Sequence, residues 1–290
     1  MNKKDNKIAF YFLLPSLVLF GLFVFYPMIK TGFTSLYYTN TGGERVSFAG
    51  LGNYAQAFSS SVFRQGFKAT ILFVLLTVPL TVIISFFLAY LTSEKIKGSG
   101  FFRLVFSSTM GISVAVSSIF WMFLFNPVNG YLNRFLGLFG LQPVEWLTDP
   151  RWAIFAVAIV TIWQNTGFAY IIFLGGLQGI DSSLLEAASI QGVKESYLVR
   201  KLIIPLLSPT FYFIITISII QAFQAFGQID MLTKGGPNNT TDTLVYQVYQ
   251  DSFLNLNSGR ASAEAIILFV IILIVTVIQS KFSESKVNYQ

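Results

Sequence analysis

Long apolar runs separated by short polar segments make up nearly all of this chain. A helix needs about 20 apolar residues to cross a bilayer. Runs of that kind lie near residues 8–29, 69–92, 104–125, 152–176, 206–229 and 265–280. The last is short; starting it near Ala261 lengthens it and brings Glu264 to its edge. The connecting segments carry turn formers: Thr41-Gly42-Gly43, Lys97-Gly98-Ser99-Gly100, Asn126-Pro127 with Asn129-Gly130, and Gly235-Gly236-Pro237-Asn238. The pattern predicts an all-α polytopic membrane protein with six transmembrane helices, a single transmembrane domain over residues 1–290 and no soluble domain.

Composition sharpens this picture. Of the 290 residues, 54% are hydrophobic and only 11% charged, where a soluble domain carries about 25% charge. The 31 Phe residues suit surfaces facing lipid or neighbouring helices, with Trp and Tyr nearer the interfaces. The chain has no His and no Cys. That removes the usual zinc, haem and iron–sulfur ligands, disulfide frameworks and His-based triads. Spans nearly free of ionisable groups argue against a proton- or ion-coupled carrier.

The net charge of +6 is scattered among loops, which suits membrane orientation and not a nucleic-acid tract. The start, Met-Asn-Lys-Lys-Asp-Asn-Lys, precedes an uncharged run from Ile8 to Ile29. That run exceeds the roughly 7–15 residues of a signal-peptide core, and no small-x-small site follows, so an uncleaved first helix is expected. With the N-terminus inside, the inner segments 1–8, 93–103, 178–204 and 281–290 hold 11 of the 19 basic residues. The outer segments 30–68, 126–151 and 230–261 hold the rest in far more positions. The positive-inside rule therefore puts both termini in the cytoplasm of a multi-pass cell-membrane protein.

One inner segment carries chemistry. Ser183-Leu184-Leu185-Glu186 fits a capping box at a helix start, and Ala187 and Ala188 are strong helix formers. Gly192 permits a sharp turn or a positive φ. A second helical stretch over 193–203 is basic at Lys194, Arg200 and Lys201, and Pro205 marks a break before the next span. These residues alone describe a helical hairpin on the membrane surface, with or without a partner.

The order Glu186-Ala187-Ala188, three residues, Gly192, nine residues, Leu202, one residue, Ile204, Pro205 resembles the EAA loop of ABC-importer permeases. Gln191 stands where family members often have Asp. A second stretch, Leu232-Thr233-Lys234-Gly235-Gly236-Pro237, followed by Thr243-Leu244-Val245-Tyr246-Gln247-Val248-Tyr249, resembles the outer loop of carbohydrate-importer permeases. The similarity is to the maltose and glycerol-3-phosphate permease group, in its first-permease branch. The C-terminal run from Phe282 to Gln290 leans toward the glycerol-3-phosphate type.

The resemblance implies a type I importer bundle, maltose-permease-like, with an extra N-terminal helix at 8–29, a core bundle at 69–281 and a cytoplasmic coupling loop at 181–205. It implies partners: a second homologous permease, an ATPase dimer that binds ATP and Mg, and an extracellular or periplasmic solute-binding protein. It implies ATPase coupling through Glu186, Ala187, Ala188, Gly192 and Pro205. It also implies that Gly235, Gly236 and Pro237 belong to the surface meeting the binding protein, although the same residues serve as a plain connector. The chain itself is expected to hold no cofactor and no catalytic group. No Gly-x-x-x-x-Gly-Lys-Ser/Thr loop exists, since Gly192-Val193-Lys194 lacks the preceding glycine.

Neutral polar residues mark a candidate path. Gln221, Gln224 and Gln228 recur at i, i+3 and i+7 in the fifth run, which predicts one shared helix face. Gln164, Asn165 and Thr166 lie together in the fourth. Amides both donate and accept, as sugar hydroxyls require, but Gln and Asn also hydrogen-bond between transmembrane helices. The expected function is import of a carbohydrate or polyol phosphate by alternating access. A non-carbohydrate importer permease or a carrier acting alone are the rivals.

Overall fold

The computed structural model describes residues 3–93 and 98–284. Lys95, Lys97 and the C-terminal run beyond residue 284 lie outside the described residues. Among the described residues, four helices are long and apolar enough to cross a membrane: Phe10–Thr34, Ser61–Ser93, Ala153–Gln178 and Ser258–Lys281. Two bent helix pairs are further candidates, which makes six spans if each pair is one. Ser99–Gly111 meets Val114–Leu124 at 109°, and Glu195–Leu206 meets Ser208–Phe223 at 72°. The apolar runs at 104–125 and 206–229 are therefore not straight helices. An uncharged run does not reveal a bend, because hydropathy is blind to backbone direction.

The chain forms two compact units, Met1–Arg64 with Gln247–Val270, and Gln65–Tyr246 with Ile271–Gln290. In the larger unit the second span reverses the pattern of a soluble helix. Thr70, Thr77, Thr81, Ser85 and Thr92 are buried, whereas Leu75, Ile83 and Phe87 are more than half exposed. Lipid tails are as apolar as leucine, so nothing drives large apolar groups inward; small residues let helices approach instead. The hydroxyls satisfy themselves: Thr70, Thr77 and Ser85 donate to the carbonyls of Gly66, Phe73 and Thr81 at 2.6–2.7 Å.

The fourth span, Ala153–Gln178, is the centre of this unit. Ala156, Val157, Val160, Tyr170 and Phe173 are fully buried. The Phe173 ring lies 5.5 Å from Phe86 and 4.7 Å from Phe211, at offset or edge distances that favour aromatic pairs. Tyr170 Oη and Thr92 Oγ1 share a 2.7 Å hydrogen bond. Arg103 closes the C-terminus of the second span by donating to the carbonyls of Thr92 and Ser93, where a cation also meets the negative helix end.

In the smaller unit a two-stranded hairpin, Tyr37–Thr39 against Arg45–Phe48, is tied to neighbouring backbone. Asn53 Nδ2 donates to the carbonyls of Ser35 and Tyr37 at 2.9 Å. The last span begins with a buried charge cluster that hydropathy placed only at an edge. Arg260 Nε lies 2.9 Å from Asp251 Oδ2 and 3.0 Å from Glu264 Oε1. Glu264 is 1% exposed. The signal in the sequence is an i, i+4 Arg–Glu pair in the first turns of an apolar helix.

Removing one partner of a buried ion cluster leaves an uncompensated charge, at about 3–5 kcal/mol. Arg260→Met is expected to lower the thermal midpoint of the purified protein strongly. The triple variant Asp251→Asn, Arg260→Met, Glu264→Gln is expected to recover much of it, because no lone charge remains. Melting curves in detergent check both; equal midpoints for wild type and Arg260→Met would contradict the staple.

Candidate functional site

The segment 181–206 folds as a helical hairpin. Its first helix is Ser182–Ile190. The cap is Asp181, whose Oδ1 accepts from the Ser183 backbone N–H at 2.9 Å. The predicted capping box is thus displaced by two residues: Ser183 lies inside the helix, and the exposed Glu186 has no hydrogen-bond or ion-pair partner among the described residues. Asp and Ser are both good caps, and only the backbone decides between them. The Ser183 N–H holds the Asp181 carboxyl below its usual 3.8. A depressed carboxylate contributes above its unfolded pKa, so this cap persists at neutral pH and is lost on strong acidification.

Gly192 sits where the predicted turn belongs, at φ +66 with open space around it. Gln191 N–H donates to Ala187 O and Val193 N–H to Ala188 O, both at 3.1 Å. Those bonds close the helix end as a left-handed C-terminal turn does. Glu195–Leu198 continues through a π turn, Val199–Ile203, into Ile204–Leu206. Pro205 therefore lies within helix, and the break falls two residues later at Leu207, which has φ −87 and ψ 7. A π turn just before a proline accommodates its missing N–H.

The hairpin is half sunk into the bundle. Leu185, Leu198 and Val199 pack on the cluster of Tyr170, Phe173, Ile203 and Leu207, and Tyr90 Oη donates to Glu195 Oε1 at 3.0 Å. Its other side is open: Ile190 is 88% and Tyr197 60% exposed. Glu186 and Ala187 are exposed on the same hairpin and Ala188 is half-buried.

The intramembrane amides divide into two groups. Gln164 Nε2 donates to the Ile112 carbonyl at 3.0 Å, inside the sharp bend of the third span. Gln228 Nε2 donates to Gln164 Oε1 at 3.2 Å. Gln228 is buried and lies on a separate short helix, Gly227–Leu232, beyond a break. The helix that carries Gln221 ends at Phe223, with Gln224 at its cap. The shared face predicted for the three glutamines does not form. Gln221 and Gln224 are exposed, and neither side chain has a partner among the described residues. Asn165 is half-buried on the fourth span, likewise without one.

The loop after Leu232 is stiff. Gly235 is buried at φ +79, and a Cβ there would meet the Tyr246 ring at 3.0 Å. Gly236 O accepts from Thr241 Oγ1 at 2.6 Å, and Thr241 Oγ1 also meets Thr233 Oγ1 at 2.7 Å. Pro237 O accepts from Thr240 N and Oγ1. Gly235 is buried and Gly236 and Pro237 are half-buried in this frame, while Lys234, Asn238 and Asn239 are exposed. The predicted turn is present, with its most exposed side chains on either side of it, at Lys234 and at the two asparagines that follow.

Small and hydroxylated faces turned inward, large apolar faces turned outward and two bent spans define a polytopic helical membrane component. The chain belongs to the family of binding-protein-dependent transport system inner membrane components, whose pattern matches residues 50–286. It is 34% identical to the sn-glycerol-3-phosphate transport system permease protein UgpA of Agrobacterium fabrum, covering 98% of this chain and 97% of that one. The UgpA protein of Pectobacterium atrosepticum is 32% identical over 99% of this chain and 97% of its own length. The fold matches a chain of a bacterial ABC transporter involved in the import of the acidic polysaccharide alginate. There the TM-score is 0.83 at 20% identity, over 97% of this chain and 96% of that one. The inward-facing MetNI methionine transporter shares the fold more distantly, with a TM-score of 0.56 at 16% identity, over 77% of this chain and 95% of that one. The expectation of an importer-permease bundle is met.

The two groups of amides predict different losses. Gln164→Leu strands the Ile112 carbonyl and the Gln228 amide, at about 1–3 kcal/mol for a buried unsatisfied group. Gln224→Leu removes an exposed amide and is expected to leave the melting midpoint unchanged within about 0.5 kcal/mol. Thermal unfolding of the two purified variants compares them directly.

Proposed function

We propose that this chain is a membrane-spanning permease subunit of an ATP-driven, binding-protein-dependent importer for a carbohydrate or polyol phosphate. The observation that carries the reading is 32–34% identity, over nearly the full chain, to permeases named for sn-glycerol-3-phosphate transport. The chain acts as one permease domain over residues 1–290, beside a second homologous permease and a separate ATPase dimer that supplies ATP and Mg. A solute-binding protein delivers the substrate at the face carrying Gly235, Gly236 and Pro237. Both termini are cytoplasmic, a reading supported by the excess of basic residues in segments 1–8, 93–103, 178–204 and 281–290.

The hairpin 181–205 is the plug that the ATPase moves. Its support is mechanical: one side packs on the ring cluster of the bundle, and the other leaves Ile190 and Tyr197 bare. Glu186, Ala187 and Ala188 lie on the first helix, Gly192 sets the turn, and Pro205 joins the second helix to the fifth span. Closure of the ATPase pair pulls the two hairpins together, and the bundle exchanges an inward for an outward opening. Gln221 and Gln224, exposed and without partners among the described residues, are the side chains that meet a solute hydroxyl; Gln164 and Gln228 hold the wall, with Asn165 beside them.

Gly192→Pro imposes φ near −65° where the chain has +66. Glu186→Lys puts a cation near a helix N-terminus, at about 1 kcal/mol or less, too little to unfold the bundle. Both variants are expected to insert normally but to retain less co-purifying ATPase, with affinity falling about tenfold for each 1.4 kcal/mol by which binding weakens. Wild-type yields of ATPase and wild-type turnover for both would reduce the hairpin to a connector.

The topology has its own check. Because the chain has no native cysteine, Lys194→Cys and Lys234→Cys are clean probes. An impermeant maleimide applied to intact cells is expected to label position 234 and spare 194; the reverse pattern would invert the protein.

A further inference from the structure

Resting on the importer reading and its outward placement of the loop at 233–243, we propose that the pocket beside this loop is a socket for an acidic side chain of the solute-binding protein. The pocket has a volume of about 330 Å³ and is lined by Gln65, Lys68, Arg151, Asn238, Asn239 and Thr240 among others. Three separate elements build it. The helix Ser61–Ser93 has 33 residues, about 50 Å at 1.5 Å per residue, well beyond the roughly 30 Å hydrocarbon thickness. Its uncharged run starts only at Ala69, after Arg64, Gln65 and Lys68, so its polar first turns are expected to project past the apolar layer. Gln65, Lys68 and Leu72, at i, i+3 and i+7, turn one face of that projection into the pocket.

The charge is complementary to an acid. Lys68 is exposed and has no partner among the described residues. Arg151 reaches the pocket while bonded to Asp149 at 2.8 Å, and this bond holds the Asp149 carboxyl below its usual range. Among the described residues, no Asp or Glu lines the pocket. Two cations thus face it, against one carboxylate that Arg151 already occupies.

The amide wall is held in advance of binding. Asn238 and Asn239 adopt left-handed backbone, φ 51 and φ 59, which asparagine tolerates better than other side-chain-bearing residues. The bonds of Thr240 to Pro237 O and of Thr241 to Gly236 O fix that geometry. Both Asn side chains are exposed and lack partners among the described residues, so their N–H donors are free. A donor set already in place sacrifices less freedom on association.

Exposure separates a protein carboxylate from a free solute anion. A solute site encloses about 70–90% of its ligand, whereas here Lys68 is exposed and Arg151 is 83% exposed. Cations on an open rim steer association and set its salt dependence. A carboxylate standing on a convex partner surface fits such a rim.

The test uses the whole transporter in nanodiscs of phosphatidylcholine, titrated with its binding protein at low and high salt. Lys68→Glu is expected to weaken binding about tenfold at low salt and to flatten the salt dependence. Lys68→Gln should fall between, and Asn239→Asp should weaken binding in the same direction. Arg134→Glu, a reversal outside the pocket, is expected to leave affinity unchanged. Basal ATPase turnover and ATPase co-purification should stay at wild-type values throughout.

A stimulated wild type with an equally stimulated Lys68→Glu variant would overturn the socket alone. So would equal loss in Arg134→Glu, wild-type binding that requires added phosphatidylglycerol, or Lys68-dependent binding of inorganic phosphate without any effect on the binding protein. Wild-type turnover indifferent to any binding protein would overturn the importer reading and the socket with it.

Discussion

Inside a bilayer no water is available to satisfy a stray backbone group, and each one left unpaired costs several kcal/mol. That constraint decides where this chain bends. The third span turns through 109°, and the carbonyl of Ile112, freed by the turn, receives a hydrogen from Gln164. Gln164 Oε1 accepts in turn from Gln228, which lies beyond the break that ends the fifth span. One chain of two amides therefore ties together the irregular point of the third span, the straight fourth span and the irregular end of the fifth. The close approach has the same origin: a Cβ at Gly167 would collide with Thr109 Oγ1 and Met110 N, so the bend can nest against the fourth span only where that span has no side chain.

The same logic gives the bundle a mechanical grain. Tyr170 and Phe173 are fixed between the second and fifth spans by rings and by the Thr92 hydroxyl. The hairpin stands on this cluster through Leu185, Leu198 and Val199, so force applied to the hairpin reaches rings packed at van der Waals distance. Cores at this density shift between discrete packings and do not deform smoothly. The departures from α-helical geometry on this path are the π turn at Val199–Ile203 and Leu207. They lie directly between the hairpin and the fifth span, on the same covalent path as the exposed Gln221 and Gln224.

How much of this was legible in the sequence depended on whether a feature is local. Apolar runs revealed the spans, because insertion energy sums over some 20 neighbouring residues. Gly192 and the turn at Gly235-Gly236-Pro237 were legible because positive φ selects glycine. The bends were not, since 104–125 is free of Asp, Glu and Lys and its break is held by a side chain some fifty positions away, at Gln164. The glutamine stripe failed for a related reason: i, i+3, i+7 spacing describes a face only while the helix continues, and it stops at Phe223. The socket was missed because Lys68, Arg151 and Asn238 come from three distant segments, each unremarkable alone.

Burial and partners, not sequence position, sort the charged residues by task. Arg260 is held between Asp251 and Glu264, so its charge is balanced within the fold and serves the start of the last span. Arg103 directs its donors to the carbonyls that end the second span and serves that helix terminus. Lys68 has neither arrangement: it is exposed, without a partner among the described residues, and set beside amides whose backbone is already fixed. An exposed lysine without a partner among the described residues gains little stability from a rigid polar neighbourhood, since surface pairs contribute only about 0–1 kcal/mol. The stiffness of the Asn238–Asn239 turn makes physical sense when the charge and amides act on another molecule, where preorganisation raises affinity and rim charge raises the rate of encounter.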